Sequence, residues 1–355
     1  MTNTEAEDEE SIDTHAVTEP LRVGVVGGGF IGTTVGGQFR EHDDARVAAL
    51  VDVDETTLEV AGAELDVDAD ARYTEYETML EAEPLDAVLI GTPHTLHYEQ
   101  VLAAIDRDLH VLCDKPLTTD LERARELVEL DREREEVLMV GYQRHLYEGF
   151  RRARELWATE GREPSWITAE VGQDWVDRFE GTWRRDPALS GGGYLYDTGS
   201  HLLDCVLWST GLTPEAVSAS MNFVDDERRV DGRATVTIRF TNGATASFSM
   251  SGEVPCMREH VRMWDREGAV ALDSRDWESS EYVEIDADSG EYRPRMRTED
   301  RQTKADAFVE AISTGSEPPA TALDGLRVTA VTEAAYESAR GDGSFVAVAP
   351  DNVSR

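Results

Sequence analysis

Near the start of the chain a short apolar stretch runs directly into glycines, and no other feature narrows the possible folds as much. Residues 21–26 read LRVGVV, and Gly27-Gly28-Gly29-Phe30-Ile31-Gly32 follows at once. The spacing fits G-x-G-x-x-G, with Gly27, Gly29 and Gly32 as the three glycines and Phe30 and Ile31 between the last two. The first glycine makes a sharp turn, the second lets backbone approach a pyrophosphate, and the third lets the helix pack close to its strand. The helix N-terminus then offers free N–H groups and the positive end of its dipole to an anion. Asp52 stands twenty residues beyond Gly32, where a carboxylate can accept hydrogen bonds from a ribose diol. This order of elements predicts dinucleotide binding.

The rest of the chain extends that reading. Residues 46–51, 85–90, 110–113 and 137–140 read as strands, separated by helical patterns at 54–63, 73–83, 97–107 and 119–135. Such alternation predicts an α/β fold, with a Rossmann domain (a doubly wound parallel sheet) over residues 21–143. Beyond it the pattern changes. Helices are expected at 147–159 and 193–208, and strands at 166–173, 216–223, 234–240, 244–251, 259–264, 269–272 and 282–285. Thr241-Asn242-Gly243 marks a hairpin, and helices at 304–313 and 326–340 close the chain. Residues 144–355 therefore read as an α+β domain with a large, mainly antiparallel sheet.

Asp52 also bears on cofactor choice. Asp54 and Glu55 follow it, and no Arg or Lys occurs before residue 70 to offset a 2′-phosphate. NAD is favoured over NADP. NADP stays possible, because Asp52 also reads as one more solvated acid on an acidic surface, and salt screens the repulsion.

Composition excludes several partners. The chain carries 73 acidic and 34 basic residues, for a formal charge of −39, which disfavours both nucleic acid and anionic membranes as partners. Among the basic residues only Lys115 and Lys304 are lysines. Dense carboxylates with almost no lysine suggest a halophilic protein. Residues 1–20 are acidic and polar, a solvated tail with neither signal-peptide nor transit-peptide character. Cys113, Cys205 and Cys256 form no C-x-x-C pair, so a reducing, cytoplasmic compartment and small core cysteines are expected. No His/Cys/carboxylate group has metal-ligand spacing, and neither a G-x-S-x-G nor a P-loop sequence occurs.

Three further pairs of segments carry a resemblance. They are Gly91-Thr92-Pro93-His94-Thr95-Leu96-His97 with Cys113-Asp114-Lys115-Pro116-Leu117, then Trp183-Arg184-Arg185-Asp186-Pro187 with the run from Ser190 to Asp204, and finally 307–312 with 335–339. Together they resemble the glucose–fructose oxidoreductase and inositol dehydrogenase (Gfo/Idh/MocA) family over nearly the whole chain after the tail. The family usually has Asn at the position of His94 and Glu at that of Asp114. The resemblance implies hydride transfer between a nicotinamide cofactor and a sugar, sugar acid or cyclic polyol hydroxyl. It implies Lys115, His201 and Asp197 as catalytic residues, Thr92, Pro93, His94, His97 and Asp114 along the cofactor, and a homodimer or homotetramer formed through the second-domain sheet. The residues themselves are compatible with those roles. Asp197 and His201 are four apart, so in an α-helix they share a face, and a carboxylate there would raise the imidazole pKa toward neutrality. Lys115 would stabilise alkoxide-like charge. Arg144, Trp183 and Arg184, with Gln143, are expected to line the substrate cleft. His110 and His145 read as structural, His15, His42 and His260 as surface residues, and Lys304 as an ordinary cation whose replacement by Arg would be silent.

Two other functions fit the same sequence: a redox-neutral NAD-dependent glycosidase of the same fold, and a non-catalytic sensor of dinucleotide or sugar. Relatives of the second kind can lose the lysine or histidine, and this chain has both. The acidic surface generates a direct test. At low ionic strength, where the Debye length reaches about 30 Å, the carboxylates repel one another across the whole surface. Unfolding midpoints should therefore rise steadily from dilute buffer to molar KCl, and full stability in dilute buffer would refute the halophilic reading.

Overall fold

A computed structural model describes residues 19–159, 161–278, 280–295 and 301–349. All of the acidic segment except residues 19 and 20 lies outside the described residues. The first domain holds strands β1 (Leu21–Val26), β2 (Ala45–Val51), β3 (Arg72–Tyr73), β4 (Ala87–Ile90), β5 (His110–Cys113) and β6 (Leu138–Val140). Helices α1 (Phe30–Glu41), α2 (Glu55–Glu64), α3 (Tyr76–Ala82), α4 (His97–Ile105) and α5 (Leu121–Arg132) connect them. The strands pair in parallel in the order β3-β2-β1-β4-β5-β6. With helices on both faces, β4 has no solvent side, and all four of its residues are buried. The strand order reverses between β1 and β4, which opens a crevice at their carboxyl ends. Gly27, Asp52, Gly91 and Asp114 all follow the ends of their strands on that edge.

The second domain opens with α6 (Glu148–Thr159) and β7 (Trp166–Asp174), followed by α7 (Pro187–Ser190) and α8 (Ser200–Thr210). Strands β8 (Pro214–Phe223), β9 (Asp231–Phe240), β10 (Thr245–Ser251), β11 (Glu253–Trp264), β12 (Gly268–Arg275), β13 (Glu281–Asp286) and β14 (Glu291–Tyr292) come next. Helices α9 (Lys304–Thr314) and α10 (Ala322–Arg340) and strand β15 (Val346–Ala347) complete it. The nine strands run β14-β13-β12-β11-β7-β10-β9-β8-β15. Among the described residues of this sheet only β7 and β10 pair in parallel; the other pairings are antiparallel, as expected. Gly243 takes φ +86° in the β9–β10 turn, a conformation that favours glycine. Burial alternates residue by residue along β10, so one sheet face is covered and the other is left open.

Helix α9 leaves this domain and returns to the first. Phe308 meets Phe39 of α1 edge-on, with ring centroids 5.9 Å apart, and Ala305, Phe308 and Ala311 join the core formed by Val23, Val25 and Leu89. Helix α10 packs against both α5 and β8. The chain therefore returns to the parallel-sheet domain after building the nine-stranded sheet. Strands β3, β14 and β15 escape the sequence pattern because two residues are too few to show a period. Cys113 and Cys205 are buried as expected, but Cys256 is exposed, since it lies on an exposed part of β11.

Candidate active site

The glycine loop takes the shape its sequence predicts. Gly27 has φ +94°, and a Cβ on Gly32 would lie 1.8 Å from the Gly27 carbonyl oxygen. That contact forbids any other residue at position 32. Space beside Gly29 is open. Helix α1 begins there with no side-chain cap and no acidic residue in its first turn, so its leading N–H groups face outward unneutralised. This arrangement fits a pyrophosphate. Asp52 receives the Gly28 N–H at 2.8 Å and the Asp54 N–H at 2.9 Å. It braces the loop and keeps further lone pairs on its carboxylate for a ribose diol. Arg72, the first arginine downstream, is held by the Val67 carbonyl at 2.6 and 2.9 Å. Phe30 is exposed and Ile31 half-buried at the loop's rim.

Lys115 and Asp197 meet where the two domains join. The Lys115 ammonium donates to Asp197 Oδ1 at 2.8 Å and to the Asp197 carbonyl oxygen at 2.7 Å. Trp175 Nε1 and Arg184 Nε reach Asp197 Oδ2 at 2.7 and 3.2 Å. Burial alone would raise the Asp197 pKa, but Lys115 and Arg184 hold it far below the usual carboxylate range. His94 is also buried here: its Nδ1 lies 3.0 Å from the Ser190 carbonyl, and its ring meets Trp183 edge-on at 4.9 Å. Burial and the Lys115 charge pull its pKa down to about 3, so the ring is neutral. His97 differs in role. Its two ring nitrogens are taken by the Pro116 and Thr92 carbonyls at 2.8 and 2.9 Å, so it ties two loops together. Thr92 Oγ1 donates to Gln100, and Pro93 begins the short helical turn His94–Leu96.

The expected pairing of Asp197 with His201 is corrected by the structure. Leu195–Gly199 is a π-helical turn, and α8 starts after it at Ser200. The wider turn breaks the α-helical register on which the pairing relied. Asp197 is engaged by Lys115, Trp175 and Arg184, while His201 Nδ1 is buried with no hydrogen-bond partner. The His201 pKa is therefore lowered rather than raised, by burial first and then by Lys115, Arg144 and Lys304. A neutral imidazole results. Its ring packs against Trp277 and Tyr142 at 5.4 and 6.1 Å.

Other expectations shift as well. Arg144 does not stand free for a substrate: it is buried, forms a two-pronged ion pair with Glu259, and lies 5.3 Å from the Trp277 ring. Arg184 and Trp183 do face the cluster, with Arg184 stacked on Trp183 at 4.5 Å. Gln143 donates to Tyr147. His145 is structural, paired to Asp204 at 3.0 Å and stacked on Trp208. His110 receives the Val137 N–H, and neither His260, half-buried beside Asp273, nor His42, half-buried near Asp306, lies fully at the surface. His15 lies outside the described residues. Lys304 is not a surface cation either: it is buried 3.4 Å from Asp114 Oδ1.

Sequence reasoning did not find Trp175, Asp231, Glu259 or Trp277. Asp231 accepts the Leu195 N–H at 3.0 Å and a bond from Tyr336, whose hydroxyl accepts the Gly193 N–H at 2.8 Å. This buried platform fixes the glycine turn that delivers Asp197. Among the described residues no group of His, Cys and carboxylates could hold a metal ion.

The neutral histidines set a pH dependence. His94 and His201 stay unprotonated in the fold but bind protons below about pH 6.5 once unfolded. Their contribution to stability is complete above that value and declines on acidification, each by about 1.4 kcal/mol per pH unit. Asp131 and Asp231, pushed up to about 6 by burial, act in the opposite direction. Setting variant against native protein isolates the histidine: between about pH 6.5 and pH 5 at fixed KCl, acidification should lower the urea midpoint of the native protein more than that of His201→Asn. Identical slopes in the variant and the native protein would count against a neutral His201.

Comparison with known proteins agrees with this geometry. Residues 21–142 match the family described as an oxidoreductase family with an NAD-binding Rossmann fold, and residues 150–269 match the C-terminal domain of the same family. A D-xylose 1-dehydrogenase (NADP(+)) of Haloferax volcanii is 28% identical over 313 residues, covering 85% of this chain and 91% of that one. A myo-inositol 2-dehydrogenase of Thermotoga maritima is 30% identical over 237 residues, 63% of this chain and 66% of that one. The aldose-aldose oxidoreductase of Caulobacter crescentus, solved with glycerol, superposes with a TM-score of 0.80 at 26% identity, covering 93% of this chain and 100% of that one. Among the described residues no helix is long and apolar enough to cross a membrane. The chain belongs to the Gfo/Idh/MocA family and is an NAD(P)-dependent oxidoreductase.

Proposed function

We propose that this enzyme oxidises a ring hydroxyl of a sugar, sugar acid or cyclic polyol, with Lys115 and His201 acting on the reacting oxygen. One observation carries the reading: a buried ammonium just beyond β5 stands near enough to His201 for its charge to help keep that imidazole neutral, and the imidazole Nδ1 has no hydrogen-bond partner. An ammonium has three N–H donors, and Asp197 takes two from Lys115. The third is available to a substrate oxygen, where it stabilises the negative charge that develops as the C–H bond breaks. His201, being neutral, accepts the hydroxyl proton. The bound nicotinamide supplies the acceptor for the hydride. Asp197 keeps Lys115 in place, and Trp183 and Arg184 flank the substrate.

The names of the relatives point to the same substrate class, and the Haloferax enzyme is named for NADP. In this chain Asp52 favours NAD, because the nearest downstream guanidinium is held away at Val67. The open face of the nine-stranded sheet supports a homodimer or homotetramer, and the acid excess with two lysines supports a halophilic, cytoplasmic enzyme.

Cofactor choice is tested by comparing dissociation constants at moderate salt. NAD should bind at least about tenfold more tightly than NADP, the effect of bringing a phosphate against a carboxylate. Asp52→Ala should narrow that ratio, and equal affinities in the native protein would overturn the preference. The chemistry is tested with Lys115→Arg, which keeps the charge but replaces a compact donor with a wide fork. Turnover on the best aldose or polyol should drop about 10²-fold, roughly 2.7 kcal/mol, while NAD affinity changes little. Near-normal turnover would make Lys115 structural.

A further inference from the structure

The chain uses arginine for nearly every cation, yet keeps lysine at two positions, 115 and 304. Both are buried, at 7% and 8% exposure, and the charges of both act on one carboxylate, that of Asp114. Asp114 precedes Lys115 in the chain and holds the Lys304 ammonium at 3.4 Å. Lys304 reaches that place from the first turn of α9, where a cation opposes the helix dipole. Helix stability therefore does not explain it. The helix start is anchored independently, by a capping box between Thr303 and Asp306 and by Gln38 of α1, which accepts the Lys304 N–H at 3.1 Å. A Cβ on Gly141 would stand 2.9 Å from Asp114 Oδ1 and 3.1 Å from Lys304 Nζ. The ammonium thus lies close to the Gly141 backbone, and a guanidinium is a wider group than an ammonium.

Resting on the reading that Lys115 is catalytic, we propose that Lys304 is a positioning residue: by occupying the Asp114 carboxylate it leaves the Lys115 ammonium to Asp197 and the substrate. Asp114 is the carboxylate next to Lys115 in sequence. Without Lys304 it would be a buried, unpaired anion, and the nearest cation to satisfy it would be Lys115 itself. Drawn toward Asp114, Lys115 would lose its geometry at Asp197. The charges around Asp114 agree: burial pushes its carboxyl up, but Lys304 first and then Lys115 bring it below the usual range.

The scarcity of lysine makes the test direct. Protein labelled with 13Cε-lysine gives two side-chain resonances, one of them Lys115, and reports the coupling with no sugar present. Lys304→Met should displace the Lys115 resonance and lower turnover at least about tenfold, with the NAD dissociation constant within about threefold. Adding Asp114→Asn to that variant should return the Lys115 resonance toward its native position, since both partners of the buried pair are then gone. Lys304→Arg should lower turnover too, because the wider fork would have to fit beside the Gly141 backbone. If Lys304→Met does not fold, Lys304→Gln takes its place with the same two readouts. A Lys115 resonance unmoved by the substitution, or turnover within about twofold of native, would overturn the positioning role. Failure of the native protein to reduce NAD or NADP with any sugar would instead count against the proposed activity.

Discussion

The ion pair between Lys115 and Asp197 joins the two halves of the molecule, and much of the surrounding architecture exists to make it possible. A buried ammonium and carboxylate are stable only when desolvation is offset by good geometry and by bonds to every remaining lone pair. Here Trp175 and Arg184 complete the carboxylate. The residues behind them hold its backbone: the Asp231–Tyr336 platform fixes Gly193 and Leu195, and the π-turn then sets Asp197 toward the first domain. On the other side, Lys115 follows β5 in a loop tied down by His97. Removing either charge would leave its partner unpaired in a low-dielectric interior, a larger loss than the net worth of the pair.

The interior of the site and the exterior of the molecule have opposite electrostatic character. The chain as a whole is strongly acidic, yet Lys115, Lys304, Arg144 and Arg184 gather around the cluster. Burial first, and then the Lys115 charge, keeps His94 neutral; burial, Lys115, Arg144 and Lys304 do the same for His201. A neutral base beside fixed cations suits a reaction in which negative charge develops on oxygen, because the stabilising charges are in place before the reaction begins.

How much of this was legible in the sequence depends on the range of the interactions. The glycine loop, Asp52 and the strand–helix alternation act within a few turns of chain, so their spacing exposes them, and the Rossmann domain follows. Lys115 was recognisable because it stands in a short motif. The relation of Asp197 to His201 was misread, since spacing assumes an α-helix and the π-turn changes the register. Arg144 looked like a free cation because Glu259, its partner, lies 115 residues away. Lys304 and Asp114 are 190 residues apart, and only the scarcity of lysine hinted that position 304 was unusual.

The central claim is that the chemical step depends on the Lys115–Asp197 pair, and Asp197→Asn addresses it with little change in volume. Single-turnover transfer of deuterium from the carbinol carbon of the best sugar or polyol substrate to the bound nicotinamide separates that step from binding and release. The native enzyme should place the label in the reduced cofactor. Asp197→Asn should bind NAD normally but transfer deuterium at least about 10²-fold more slowly, with a primary isotope effect on the rate. Transfer at the native rate in Asp197→Asn would contradict the account.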